Sequence, residues 1–245
     1  MRAPEFLSKQ DPFSVDTLLL KKVEKHQLKA REKWVLKRIG RGKRVLDLGC
    51  GSGVLSALIQ EKNNEVYGLD INPSLIQIAK QKGISGKVCD LNERIPFEDH
   101  SFEVVFGGDV FAYVYDTKHL FLECARVLKP GGTLIFTAPN LNSIQNRVGI
   151  FFGKYLSSHG AYPEDSLGGQ IRVFNQEKIE ELCRLAGFDV LELKGAFTSA
   201  ANTETVRRPE AWLTSVARGI STTLESLNSL YPGLAPVLLV RAKRM

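Results

Sequence analysis

The chain has 245 residues, 43% of them hydrophobic and 24% charged, an ordinary globular balance and enough length for one well-filled α/β domain. That balance sets aside disordered and collagen-like chains, and no apolar run approaches the roughly 18–20 residues that cross a bilayer. The formal net charge of +6 gathers partly between Lys21 and Lys43, where a solvated basic helix face is expected rather than a nucleic-acid or membrane surface.

Met1-Arg2-Ala3-Pro4-Glu5-Phe6 lacks the apolar core and cleavage site of a secretory signal, so a cytoplasmic location is expected. Cys50, Cys89, Cys124 and Cys183 lie far apart, with no Cys-x-x-Cys pair. They predict buried structural thiols, and neither a disulfide framework nor a metal site is expected.

Apolar residues at Val15, Leu18, Leu19, Val23, Leu28, Val35, Leu36 and Ile39 predict one or two amphipathic helices, ended by Gly40 and Gly42. The pattern then alternates. Arg44–Leu48 reads as a buried strand, Val54–Glu61 as a helix, and Glu65–Asp70 as a strand. Asn72 is a plausible cap for a helix over Pro73–Gln81. Gly86–Asp90 and Phe102–Phe106 read as strands three and four. A helix over Thr117–Leu128 is ended by Pro130-Gly131-Gly132, and Thr133–Thr137 is strand five. After Asn140 the rhythm fails for about 35 residues, which predicts a long loop or small insertion. A helix over Gln176–Ala186 with Gly187 at its end, a strand near Phe188–Leu193, a helix over about Thr205–Leu230 and a strand over Val237–Arg241 follow. This rhythm predicts a doubly wound, mostly parallel sheet with helices on both faces.

The turn Asp47-Leu48-Gly49-Cys50-Gly51-Ser52-Gly53 carries the clearest chemistry. Glycine at alternate positions lets backbone approach a ligand, and the helix behind it presents free N–H groups. A dinucleotide-binding Gly-x-Gly-x-x-Gly turn places its third glycine at position 54, where this chain has Val54. No Gly-Lys-Ser/Thr follows, which excludes a P-loop. Asp47 would repel a pyrophosphate and attract an ammonium or sulfonium cation. Asp70 and Asp90 close strands two and three, where a carboxylate can meet a ribose and an adenine amino group.

Val45–Gly53 resembles the first motif of the class I methyltransferases. The resemblance continues through Tyr67–Asp70, Cys89-Asp90-Leu91, Phe102–Phe106 and Arg126–Leu134. It implies a Rossmann-like sheet of seven strands with the last antiparallel, and S-adenosyl-L-methionine as cofactor, leaving S-adenosyl-L-homocysteine. It implies residues 1–42 as an N-terminal helical cap and 43–245 as the methyltransferase domain, with a substrate-side insertion at about 140–174. By position, Asp47 would lie near the methionine end, Gly49, Cys50 and Gly51 under the cofactor, Asp70 and Ile71 by the ribose, and Asp90 with Leu91 around adenine. Gly107 and Gly108 would line the methyl-transfer side. Arg31, with Trp34, resembles an element of quinone-type relatives that offers an arginine to the cofactor carboxylate.

Methyl transfer from a positive sulfur needs alignment above all. Where a proton must leave, Asp109 and His119 are the candidate bases. Ala112-Tyr113 stands where quinone O-methyltransferases commonly carry an acidic residue followed by His, which weakens a metal-assisted phenol methylation. Asn140, Arg147, Tyr155, His159, Tyr162 and Arg172 are the candidate acceptor contacts, and Gly160, Gly168 and Gly169 could let that segment move as a lid. The expected acceptor is a small molecule of lipid, quinone or sugar type, handled by a monomer or homodimer. An RNA methyltransferase, a catalytically silent partner subunit and a nicotinamide dehydrogenase are the alternatives; Val54 and Asp47 argue against the last.

Overall fold

Strand β1 (Arg44–Leu48) holds the middle of the sheet, and Val45, Leu46 and Leu48 are wholly buried. Continuous burial is what a parallel strand covered by helices on both faces requires. The computed structural model of the protein describes residues 30–151, 171–196 and 232–245. In it β1 lies between β2 (Glu65–Asp70) and β4 (Phe102–Gly108), parallel to both. β3 (Ser85–Val88) flanks β2, while β5 (Leu128–Pro139), β7 (Val237–Arg244) and β6 (Phe188–Ala196) extend the sheet beyond β4. The order is β3-β2-β1-β4-β5-β7-β6, with β7 antiparallel to both its neighbours. This is the seven-stranded, mostly parallel, doubly wound sheet that the sequence implies. Its winding reverses between β1 and β4, and that reversal opens a crevice at the carboxyl ends of the strands.

Alternation along the strands divides the core in two. On one face, α1 (Ala30–Ile39), α2 (Val54–Gln60) and α3 (Pro73–Gln81) set Val35, Leu36, Ile39, Ile59 and Ala79 against Val45, Val104, Phe106 and Ile135. On the other, α4 (Thr117–Val127) and α6 (Gln176–Leu185) pack Phe121, Cys124, Ile179 and Leu182 over Leu46, Leu48 and Phe136. Asn72 caps α3 as expected, its side chain accepting from the amides of Ser74 and Leu75. The four cysteines are buried thiols outside any disulfide. Burial pushes the Cys89 thiol up to about 11, with nearby carboxylates adding to the shift. No helix among the described residues is long and apolar enough to cross a membrane.

Three expectations are corrected. Pro130-Gly131-Gly132 does not simply end a helix: β5 begins at Leu128, paired with Phe102, and the register slips before Val104 meets Thr133. Gly132 suits that irregularity, since a Cβ there would sit 2.8 Å from the carbonyl oxygen of Lys129. The stretch after Asn140 contains a helix, α5 (Ile144–Phe151), whose polar first turn hides it from pattern reading. Strands β6 and β7 outrun their predicted ends because they pair with each other from Ala196–Val237 to Phe188–Arg244. The helix expected over Thr205–Leu230, and the part of the N-terminal helix before Ala30, lie outside the described residues.

Helix α1 is tied to the far edge of the sheet by Arg38, whose Nε and Nη2 each donate to Glu192 at 2.7 Å. This bidentate bond, then Lys194, holds the Glu192 carboxyl down at about 2, below its ordinary 4.5. A depressed carboxyl contributes stability above its unfolded value, and that stability is lost as pH falls toward the folded one. Glu192→Gln is therefore expected to cost about 1–2 kcal/mol at neutral pH. In thermal unfolding it should also flatten the decline of the midpoint between pH 4.5 and pH 2.

Candidate cofactor site

The crevice is floored by the turn between β1 and α2. Gly49, Gly51 and Gly53 take φ of 66°, 54° and 76°, the left-handed region that favours glycine. At Gly49 a side chain is also excluded by space, because a Cβ would lie 2.7 Å from Cγ2 of Val110. The turn is fastened to the neighbouring strand by two bonds. The Cys50 amide donates to the Leu69 carbonyl at 2.9 Å, and the Gly51 amide donates to Oδ2 of Asp70 at 2.9 Å. The other oxygen of Asp70 accepts from the Asn72 amide at 2.9 Å, so one carboxylate joins the glycine turn to the cap of α3. Ile71 is exposed beside it.

Asp47 is 2% exposed and faces α2, where its Oδ2 accepts from the Ser56 hydroxyl at 2.5 Å. A carboxylate so placed puts negative charge beneath the turn. Asp90 follows β3, accepting at Oδ1 from the amide and side-chain nitrogen of Asn92 at 2.9 and 2.8 Å, with Leu91 buried next to it. Asn92 in turn accepts from the Tyr115 amide at 2.7 Å, linking this rim to the segment after β4.

Beyond β4, a Cβ at Gly107 would sit 2.9 Å from the Phe111 ring, whereas Gly108 meets only ordinary contacts. Asp109 adopts a left-handed φ of 61°. Its Oδ1 accepts from the Thr137 hydroxyl at 2.6 Å and its Oδ2 from Nη1 of Arg31 at 2.6 Å. The Arg31 guanidinium is held more firmly charged by Asp109 and, secondarily, by Glu32. The structure thus pairs two residues to which the sequence assigned separate roles, and it makes Asp109 an anchored carboxylate. His119 stands apart from them in the first turn of α4. Its amide donates to Oδ1 of Asp116 at 2.8 Å, and among the described residues it shares no hydrogen bond or ion pair with Asp109, Arg31 or the glycine turn. The geometry does not assemble Asp109 and His119 into one acid–base pair.

The expected acceptor contacts divide. Asn140 is 1% exposed, and its amide is committed: Nδ2 donates to the carbonyls of Gly233 and Ala235 at 2.8 and 2.7 Å, and Oδ1 accepts from the Asn142 amide at 3.0 Å. It locks the exit of β5 to the entry of β7 as a structural clasp. Arg172 donates from its guanidinium to the carbonyls of Val114 (3.0 Å) and Tyr115 and so straps segment 171–174 to the chain after β4. Arg147 is exposed on α5 and donates to the Asn142 carbonyl at 2.8 Å. Tyr155, His159 and Tyr162, with Gly160, Gly168 and Gly169, lie outside the described residues. A depression of about 470 Å³ next to the strap is lined by Tyr115, Lys118, Ile171, Arg172 and Lys178, among others.

Sequence reading missed Gly68, Thr137 and Glu32. Gly68 lies within the Tyr67–Asp70 motif, which assigned it no role. Its absent side chain is required because a Cβ would lie 2.6 Å from Sγ of Cys50. Thr137 lies inside a strand, where nothing in the sequence says which polar residue faces Asp109. Glu32 did leave a signal, a charged residue on the stripe formed with Val35, Leu36 and Ile39.

A sheet in this order, with a glycine turn and strand-end acids at its reversal point, defines a nucleoside-binding doubly wound fold of methyltransferase type. Residues 46–136 match the family model described as a methyltransferase domain. The chain is 30% identical over 163 residues to the ubiquinone biosynthesis O-methyltransferase of Neisseria meningitidis, covering 63% of this chain and 67% of that protein. It is 28% identical over 163 residues to the mitochondrial ubiquinone biosynthesis O-methyltransferase of Mus musculus, again 63% of this chain, but it spans only 43% of that relative's length. In fold it is similar to the solved complex of the Haloferax volcanii Trm112 methyltransferase activator with a methyltransferase, at 24% identity and a TM-score of 0.62, covering 99% of both chains. The chain belongs to the class I S-adenosylmethionine-dependent methyltransferases.

The contact between Gly68 and Cys50 gives a test of the turn's packing. Gly68→Ala is expected to cost about 1–3 kcal/mol in chemical denaturation. Adding Cys50→Ala should recover part of that loss, because it removes the sulfur the new methyl group meets. Strict additivity of the two changes would contradict the contact.

Proposed function

We propose that the protein transfers the methyl group of S-adenosylmethionine to a small apolar acceptor of quinone or phenol type. The observation that carries the reading is the bond from the Gly51 amide to Asp70. It sets a ribose-accepting carboxylate against a glycine turn whose own buried acid, Asp47, disfavours a pyrophosphate. The residues present fit that cofactor. Gly49 and Gly51 offer bare backbone, Asp70 is a carboxylate at the end of β2, where a ribose would lie, and Leu91 with Asp90 presents an apolar wall and an acceptor for adenine.

The cofactor supplies an electrophilic methyl group on a sulfonium leaving group. What remains for the chain is to hold, orient and exclude water, and this can supply most of the acceleration. Arg31 and Thr137 immobilise Asp109 on the methyl-transfer side, where it can orient an acceptor hydroxyl. The depression beside Tyr115, which is 63% exposed, and Ile171 offers an apolar rim with basic residues behind it, a fit for an aromatic acceptor. The quinone-type assignment is supported by the relatives, which include the O-methyltransferases above and a ubiquinone/menaquinone C-methyltransferase of Desulfotalea psychrophila, 32% identical over 160 residues. In this reading residues 43–245 form the catalytic domain, residues 1–42 are a helical cap, and the segment near 140–174 borders the acceptor.

Incubation with methyl-labelled cofactor and a panel of hydroxylated prenyl-phenols, prenyl-quinones, small amines and transfer RNA tests the assignment. Label is expected in a phenol or quinone product identified by mass spectrometry. Label confined to RNA or to amines would contradict the acceptor class, and no label anywhere would contradict the activity.

A further inference from the structure

The turn after β3 and the chain after β4 are joined through the side chain of Asn92. Glu93 closes that turn by donating its amide to the Asp90 carbonyl at 3.0 Å. Within the turn, half-buried Asn92 donates from its main-chain and side-chain nitrogens to Oδ1 of Asp90 at 2.9 and 2.8 Å. Its own Oδ1 accepts from the amides of Tyr115 and Asp116 at 2.7 and 3.4 Å. A carboxamide can donate to a carboxylate at one end and accept from amides at the other, which neither a carboxylate nor an ammonium can do.

Val114 and Tyr115 lie between a short 3₁₀ turn (Val110–Tyr113) and α4. Side chains from two directions hold them. Asn92 takes the Tyr115 amide, and Arg172 takes the carbonyls of Val114 and Tyr115. Behind them, the amides of Ile171 and Arg172 both donate to the Ala112 carbonyl, at 2.8 and 3.1 Å. Tyr115 and Asp116 line the depression of about 470 Å³ together with Ile171 and Arg172. Asn92 therefore spans the distance from the expected adenine rim at Asp90 to the wall of that depression.

Resting on the methyltransferase reading above, we infer that Asn92 is a positioning residue that registers the acceptor depression against the cofactor crevice, so that filling the crevice at Asp90 steadies the Tyr115 segment. Methyl transfer needs its two ligands in line, and a misplacement of about 1 Å costs about a hundredfold in rate. A link of three hydrogen bonds between the two sites guards that alignment. Asn92 acts through Asp90 and Tyr115, and its role is one of orientation.

Hydrogen exchange read by mass spectrometry on the full-length protein, with and without saturating S-adenosylhomocysteine, tests this. In the wild type the ligand is expected to slow exchange across residues 112–116 about tenfold, alongside the glycine turn. Asn92→Asp keeps an oxygen for the Tyr115 amide but sets a second negative charge against Asp90. In that variant, ligand raised until it again saturates should still protect the glycine turn, while its effect on 112–116 falls below about twofold. Asn92→Ser shortens the link without adding charge; it should show the same loss, and it serves where Asn92→Asp does not fold. Arg172→Lys should speed exchange in the segment but leave the effect of the ligand in place. Exchange that either Asn92 variant speeds by one factor, ligand or no ligand, would mean that Asn92 merely props the segment and would overturn the inference. Loss of the ligand effect in Arg172→Lys alone would overturn it too, by assigning the link to the strap. A wild type whose glycine turn is protected by the ligand while 112–116 stays unchanged defeats this inference alone; one that does not bind the ligand defeats the methyltransferase reading as well.

Discussion

The bond between the Gly51 amide and the Asp70 carboxylate ties together the two chain segments that meet where the sheet reverses direction. On one side of it lies a turn that only glycine can follow without strain, and on the other the end of β2. Because Asp70 also accepts from the Asn72 amide, the bond sets the start of α3 as well. Strand end, glycine turn and helix cap therefore form one rigid corner. The proposed ligand surface is built chiefly of backbone on this corner, so its shape depends on the sheet beneath it and little on side-chain flexibility.

Charge gives that surface its selectivity. Asp47 lies under the turn, Asp70 and Asp90 stand at successive strand ends, and Asp109 and Glu32 both contact Arg31. Arg31 is tied directly into this set by its ion pairs to Asp109 and Glu32. A crevice of this sign favours a ligand with positive charge at its reactive end. It suits a sulfonium nucleoside far better than a pyrophosphate, although the two folds share a strand–turn–helix plan.

Much of the frame was legible in the sequence because its signals are local. β1 and β2 match their predicted bounds, since buried parallel strands read as short apolar runs between turns, and Asn72 caps the predicted helix. What escaped depends on contacts distant in sequence. The slip in β5, the extension of β6 and β7, and the clasp role of Asn140 are set by partners that no local window contains. The same limit applies to the site. The glycine turn and the strand-end acids were visible, but the pairing of Arg31 with Asp109 spans 78 residues and appears only when α1 is laid across the sheet. Arg172 likewise carries in its sequence context no mark of the carbonyls it straps.

The central claim is that the corner formed by Gly49, Gly51 and Asp70 holds a nucleoside whose reactive end is a cation. Parallel calorimetric titrations of the full-length protein with S-adenosylmethionine and with NAD test it most directly. Saturable one-to-one binding of the sulfonium nucleoside, with no heat from NAD, is the predicted result. Tight binding of NAD with S-adenosylmethionine silent would contradict the account.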